Sequence, residues 1–324
     1  MNDGKKYKVP SPLYQDPVYG GPSDPVVIWN REERQWWMFY TQRRSWGYHI
    51  GVSGVHGTKI GIASSTDGIS WLYRGTAEGL EFEPGHNTFW APEVIYAEGQ
   101  YHMFVSYIQG IPTDWKGCAQ ILHYTAKNLW TWHFDSVIEL NADRVIDACI
   151  YETSPHFYKL WYKDEDRSSH TCSAVSHDLF HWELLGEEIT DCPHEGPNVF
   201  EFGRKKWMIT DCWNGLGVYE SNDFCHWKRQ DQNILQVPGI RLQDQEIGNH
   251  ADVVIVKDRA YIFYFVHPYF PAKLRNGPYN TLKQKEAVTV IQAAELNIID
   301  GRLVCDRNKD FDLLLNSGSN LVST

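Results

Sequence analysis

Residues 65–71 read S-T-D-G-I-S-W, and the same pattern returns as A-K-N-L-W-T-W at 126–132, S-H-D-L-F-H-W at 176–182 and S-N-D-F-C-H-W at 221–227. In each copy an Asp or Asn can close a tight turn by accepting from the backbone two residues on, and a Trp then opens a strand. The copies stand about 45 to 61 residues apart, a spacing that suits one four-stranded propeller blade apiece. Each copy therefore reads as the outer hairpin of a blade.

Ahead of each turn lies a second hairpin made of continuous apolar runs. Residues 26–29 turn at 31–34 into 36–40, and residues 94–96 turn at Glu98-Gly99 into 101–105. The pattern recurs as 148–151 with 157–162, 198–202 with 207–210, and 252–256 with 261–266. Runs of four to six residues rich in β-branched and aromatic members are what strands packed on both faces should show. Five inner hairpins predict an all-β fold, a five-bladed β-propeller. The fifth unit lacks the turn and Trp and runs instead from 287–291 through 296–298 to a turn at Asp300-Gly301, a departure expected where a ring closes on itself. No linker or change of composition interrupts the array, so residues 1–324 are expected to form a single catalytic domain.

Composition narrows the partners. Fourteen Trp and 18 Tyr favour strands and supply flat faces on which sugar rings stack. A formal charge of −11, with no dense Lys/Arg cluster, argues against nucleic acid. No apolar run reaches the length of a membrane helix, and the first 19 residues are polar. The seven cysteines form no C-x-x-C pair, which points to free thiols in a reducing compartment. The expected location is cytoplasmic, or periplasmic or secreted if a leader has been removed. Oligomeric state is not legible.

In a propeller the innermost strands converge on the axis, and the residues that open the inner hairpins are acidic. The openings are Ser23-Asp24-Pro25, Trp90-Ala91-Pro92-Glu93, Val145-Ile146-Asp147-Ala148, His194-Glu195-Gly196-Pro197-Asn198 and Gly248-Asn249-His250-Ala251-Asp252. With Asp24, Glu93, Asp147, Glu195 and His250 as anchors, the acid period keeps step with the blade period. Closing the ring should bring four carboxylates and a histidine to one cavity. Glycosidic hydrolysis needs such a set, with one carboxyl protonated to donate to the leaving oxygen and another ionised to activate water. Glu195, crowded by Asp147, is expected to have a raised pKa.

The ordered set Ser23-Asp24-Pro25, Val145-Ile146-Asp147 and His194-Glu195-Gly196-Pro197 resembles the catalytic triad of the glycoside hydrolase family 43 type of propeller, within the wider furanosidase superfamily of families 43, 32, 68 and 117. The resemblance implies that Asp24 is the general base, that Asp147 tunes the acid and positions substrate, and that Glu195 is the general acid. Two positions depart from the pattern: Glu93 stands where an Asp is usual, and Ala148 where a Pro commonly follows the third-blade Asp. The resemblance requires no cofactor and allows a hydrated calcium in the axial cavity near His250, reached through water. Glu93, Trp90, Trp213, Arg43, Lys163 and His250 are the candidate substrate contacts, the two Trp as sugar platforms. Lys163 begins a K-D-E-D-R stretch expected to be a solvated loop. The expected activity is exo-acting and inverting cleavage of an oligosaccharide or glycoside, of the arabinofuranosidase or xylosidase kind. A phosphorylase and a non-catalytic sugar-binding propeller are the alternatives.

Overall fold

The computed structural model describes residues 8–270 and 285–315, and all of the regular structure within them is β. Twenty strands form five four-stranded antiparallel sheets, each built from consecutive strands. Blade 1 holds β1 (Pro22–Asn30), β2 (Gln35–Gln42), β3 (Lys59–Ser65) and β4 (Leu72–Thr76), and blade 2 holds β5 (Thr88–Ala97), β6 (Gln100–Ile108), β7 (Gln120–Ala126) and β8 (His133–Val137). Blade 3 comprises β9 (Val145–Ser154), β10 (Phe157–Asp164), β11 (His170–Ser176) and β12 (Glu183–Ile189), and blade 4 comprises β13 (Glu195–Phe202), β14 (Lys205–Asp211), β15 (Leu216–Ser221) and β16 (Lys228–Arg229). Blade 5 is β17 (Asn249–Val256), β18 (Arg259–Val266), β19 (Val290–Ile299) and β20 (Arg302–Cys305). The first strand of each blade touches its counterpart in both neighbouring blades, and β17 meets β1. The molecule is a five-bladed β-propeller.

Its core is a set of layers between blades. One large apolar cluster fills each of the five joints, which is why the second strands are buried on both faces and read as unbroken apolar runs. The repeated turn works as its sequence suggests. The Oδ1 atoms of Asp67, Asn128, Asp178 and Asp223 each accept two backbone N–H groups, from Ile69 and Ser70, Trp130 and Thr131, Phe180 and His181, and Cys225 and His226, at 2.8–3.0 Å. Trp71, Trp132, Trp182 and Trp227 follow just ahead of the outermost strands and pack into the joint with the preceding blade. Blade 5 has no such Trp, and Leu303 is buried in its joint instead.

The ring closes without a shared strand. Leu13 and Tyr14 donate to the Ile291 carbonyl at 2.9 and 3.1 Å, and Ile291 donates back to Tyr14 at 3.0 Å. Phe311, Leu313 and Leu315 enter the joint of blades 5 and 1, where the Trp36 indole donates to the Leu315 carbonyl at 2.6 Å.

Candidate active site

Every innermost strand begins with a β-bulge. Pairing with the second strand slips between Ser23 and Val26, Trp90 and Glu93, Ile146 and Cys149, Glu195 and Asn198, and Asn249 and Ala251. Within four of these bulges lies a residue with left-handed backbone: Asp24 (φ 50°), Ala91 (42°), Asp147 (60°) and Gly196 (57°). Such a conformation is costly for a residue with a Cβ, and a bulge that adopts it re-aims the side chain. Gly196 has a further reason to be glycine, because a Cβ there would lie 2.7 Å from the His250 ring.

The bulges correct the spacing read from the sequence. The residues that share one level are Asp24, Ala91, Asp147, Gly196 and His250. Glu93 is two positions further on, one level deeper, alongside Val26, Cys149, Asn198 and Asp252. Hydrogen bonds between blades confirm the second level: Glu93 Oε1 accepts from Ile150 N at 3.0 Å, Cys149 Sγ from Val199 N at 3.3 Å, and Asp252 Oδ2 from Val27 N at 2.8 Å. Burial, then the charge of Asp252, pushes Glu93 up to about 8.

At the upper level Asp24, Asp147 and His250 converge, and the charge of Glu195, the residue before Gly196, acts on both Asp147 and His250. His250 Nδ1 is 3.7 Å from Asp24 Oδ1 and 4.0 Å from Asp147 Oδ2. Asp147 Oδ2 also accepts the N–H of Gly196 at 3.1 Å, which ties blade 3 to the residue after Glu195. Asp24 receives the Ser23 hydroxyl at 2.9 Å and stands 3.6 Å from the Arg43 guanidinium, which itself lies over the Phe265 ring at 4.8 Å. Lys163 is buried at the end of β10, with Nζ 3.1 Å from Glu195 and 3.3 Å from Glu165. It is therefore not part of a solvated loop, and neither is its buried neighbour Asp164.

That lysine overturns the expectation for Glu195. Burial works to raise its pKa, but the Lys163 ammonium, then the Trp213 side chain and His250, outweigh burial and hold it below the ordinary carboxylate range. The raised groups are its neighbours. Burial, with the Glu195 and Asp24 charges outlasting the pull of His250 and Lys163, lifts Asp147 to about 7. Asp211, directly opposite Glu195 in the β13–β14 pairing, is lifted to about 7 by burial and the Glu195 charge. Burial lowers His250, yet the charges of Asp147, Asp24, Glu195 and Asp211 bring it above its usual value.

A family model described as a probable glycosyl hydrolase domain, related to family 43, matches residues 13–217, a stretch that holds Asp24, Asp147, Glu195 and Asp211. The chain belongs to this family. A curated relative, alpha-L-arabinofuranosidase 43 of Humicola insolens, is 24% identical over 162 residues, 44% of this chain and 31% of the relative, so the match spans under a third of that protein. Among solved structures, a thermostable family-43 glycoside hydrolase superposes with a TM-score of 0.64 at 18% identity, over 93% of this chain and 99% of the other. The GH43_1 enzyme of Xanthomonas citri gives 0.64 at 12%, over 91% and 94%. The GH32 β-fructofuranosidase of Bombyx mori gives 0.66 at 14%, over 93% and 65%. At these identities the likeness is one of fold.

The remaining positions of this family 43-related chain fall as follows. Trp213 is 42% exposed, with its ring 5.2 Å from Lys163 Nζ, so it offers a face beside Glu195. Trp90 is a wall: its indole donates to the Val55 carbonyl at 2.6 Å and its ring packs against His56 and Trp115. Arg44, unlike Arg43, turns into its own loop and donates to the carbonyls of His56 and Ser53. Between β18 and β19, residues 271–284 lie outside the described residues. Asp191, Cys192 and His194 bring ligand-type atoms together, but a cation is already present there. Arg229 Nη1 sits 2.5 Å from Asp191 and 2.8 Å from Cys192, and both nitrogens of His194 are engaged, by Thr171 Oγ1 and the Cys192 carbonyl.

Asp211 stands outside the pattern of acids that open first strands. It closes β14, one residue past the apolar run at 207–210. The available signal was an acid at a strand end that holds Thr41 in blade 1 and Ser106 in blade 2.

Proposed function

We propose that the protein is an exo-acting, inverting glycoside hydrolase that removes a terminal sugar of the arabinofuranoside or xyloside type from oligosaccharides. The observation that carries this reading is the convergence of Asp24, Asp147 and Glu195 from blades 1, 3 and 4 around His250. Asp24, steadied by Ser23 and Arg43, takes a proton from the attacking water. Glu195 protonates the leaving oxygen. In the free protein Lys163 keeps Glu195 ionised, and a bound sugar covering its side chain, 27% exposed, removes the water that supports the charge and favours proton uptake. Asp147, raised to about 7, keeps a proton close by near neutral pH. Asp24 and Glu195 are separated by blade 5, which suits the ~6.5–9.5 Å that an inverting mechanism uses to seat water.

Exo action is supported by a wall on the side of blades 1 and 2. The loop after β2 is joined to the loop after β6 by Val52 N donating to the Thr113 carbonyl at 3.1 Å, and the rings of His56, Trp90 and Trp115 pack at tilted angles within that wall. The sugar class follows the name of the arabinofuranosidase relative. The family likeness allows a calcium ion, and at the deeper axial level Glu93, on giving up the proton it holds near neutrality, and Asp252 would offer it carboxylates beside the buried Asn198, whose Oδ1 has no hydrogen-bond partner. His250, facing Asp24 and Asp147, would reach such an ion through water.

A panel of aryl glycosides led by arabinofuranoside, xyloside, galactofuranoside and rhamnoside tests the reading. Turnover of at least one, with inverted configuration in the first-formed product by proton NMR, is expected. Saturable binding without turnover across the panel would leave a sugar-binding propeller, and a retained anomer would remove Asp24 from the base role.

A further inference from the structure

The second strand of each blade places one residue opposite the bulge, and five blades show what that position does. It is Thr41, Ser106, Lys163, Asp211 and Phe265 in turn. In blades 1 and 2 a hydroxyl accepts an N–H from the next blade: Thr41 from Ala91 at 2.8 Å, Ser106 from Asp147 at 2.9 Å. Asp211 does the same for His250, through Oδ2 at 2.9 Å. A hydroxyl suffices for that bond. A carboxylate that is only 1% exposed carries a desolvation cost that Ser or Thr would avoid, so joining blades does not explain the acid.

What sets blade 4 apart is Glu195. The other oxygen of Asp211 accepts the Trp213 N–H at 2.7 Å and holds that residue in a left-handed conformation (φ 52°), its ring over Lys163. Lys163 holds the same position in blade 3 and lies 3.1 Å from Glu195. The carboxyl of Glu195 is thus flanked by the two charged members of the set, one of each sign.

We propose that Asp211 is a positioning residue for proton donation by Glu195: it fixes the Trp213 and His250 backbones on either side of that carboxyl and sets a negative charge against Lys163. The charged groups around the pair are Lys163 from β10, Asp147 from β9 and His250 from β17, with Asp24 from β1 beyond His250. Asp211 is lifted to about 7, so the pair takes up its first proton close to neutrality, and when Glu195 carries it Asp211 bears the negative charge. This inference rests on the hydrolase reading.

The test uses Asp211→Ser, which installs the residue that blade 2 employs, and Asp211→Asn. Each is assayed on a dinitrophenyl glycoside, whose leaving group needs no proton, and on the alkyl glycoside of the same sugar, which does. Loss of kcat/KM on the alkyl substrate should exceed the loss on the activated one by about tenfold or more, since assistance by an acid is absent only where it matters. Equal losses on the two substrates, with or without a lowered melting temperature, or no loss at all, would overturn the inference. Failure of the wild type on the activated glycosides would strike the hydrolase reading instead.

Discussion

Three neighbours decide how Glu195 is poised. The Lys163 ammonium, the Trp213 side chain and His250 together outweigh the burial that would otherwise protonate it, while Asp147 and Asp211 take up protons near neutrality. Under the proposed mechanism Glu195→Gln keeps the shape of the side chain and removes the proton. Turnover of an alkyl glycoside is expected to fall by about 10²–10⁴-fold with affinity retained. Steady-state kinetics with a poor leaving group check this, and an undiminished kcat would take Glu195 out of the acid role. Asp24, Asp147 and Glu195 could be picked out in the sequence because each stands just ahead of an apolar run, and two of them are followed directly or one residue later by Pro. The level of Glu93 could not, since a bulge shifts the register by one residue and leaves no mark in hydrophobicity. The direction of the Glu195 shift was equally hidden, because it depends on a lysine 32 residues away in another blade.

At the scale of strands, the inner hairpins were visible because each second strand is packed between two blades, while a polar residue inside such a run gave no warning of its partner. His102 on β6 and His123 on β7 are fully buried. His102 Nδ1 lies 2.9 Å from His123 Nε2, the rings stack, and Phe104 covers His123 at 4.2 Å. That bond needs one donor and one acceptor, so the two rings are not both charged. Burial lowers His102 to about 4, and burial together with the charge of His102 lowers His123 to about 3. Both folded values lie below the unfolded value of about 6.5, so the contribution is complete above that pH and is lost as pH falls toward 4. By pH 5 the cost is about 2 kcal/mol for each histidine. The raised acids Glu93, Asp147 and Asp211 act with the opposite sign, which makes a difference measurement necessary. Denaturant unfolding of the wild type and of H102Q/H123Q at pH 7.5 and 5.0 provides it. The wild type should lose more stability between the two pH values, and parallel curves would show that the pair does not titrate on unfolding.

The whole ring has one joint unlike the others. Four joints are crossed by the chain as it passes from blade to blade, whereas the joint of blades 5 and 1 is held by side chains and by the two terminal segments. The irregular fifth unit hinted at this in the sequence, but nothing there showed that residues 9–14 and 311–315 would supply the closure, because neither stretch has a strand period. Leu313 is 3% exposed in that joint, beside Val27 and Trp36 of blade 1 and Phe263 of blade 5. Leu313→Ala should cost about 2–5 kcal/mol through lost burial and the cavity left behind. The opening it promotes should begin at that joint, since no covalent connection there resists separation, and it would part Asp24 from His250, now 3.7 Å away. Hydrogen exchange read by mass spectrometry distinguishes the two ways of opening. Local opening speeds exchange in β1, β2, β17 and β18 well beyond that in β9 to β11, whereas a uniform increase around the ring would mean that the five blades come apart as a single cooperative unit.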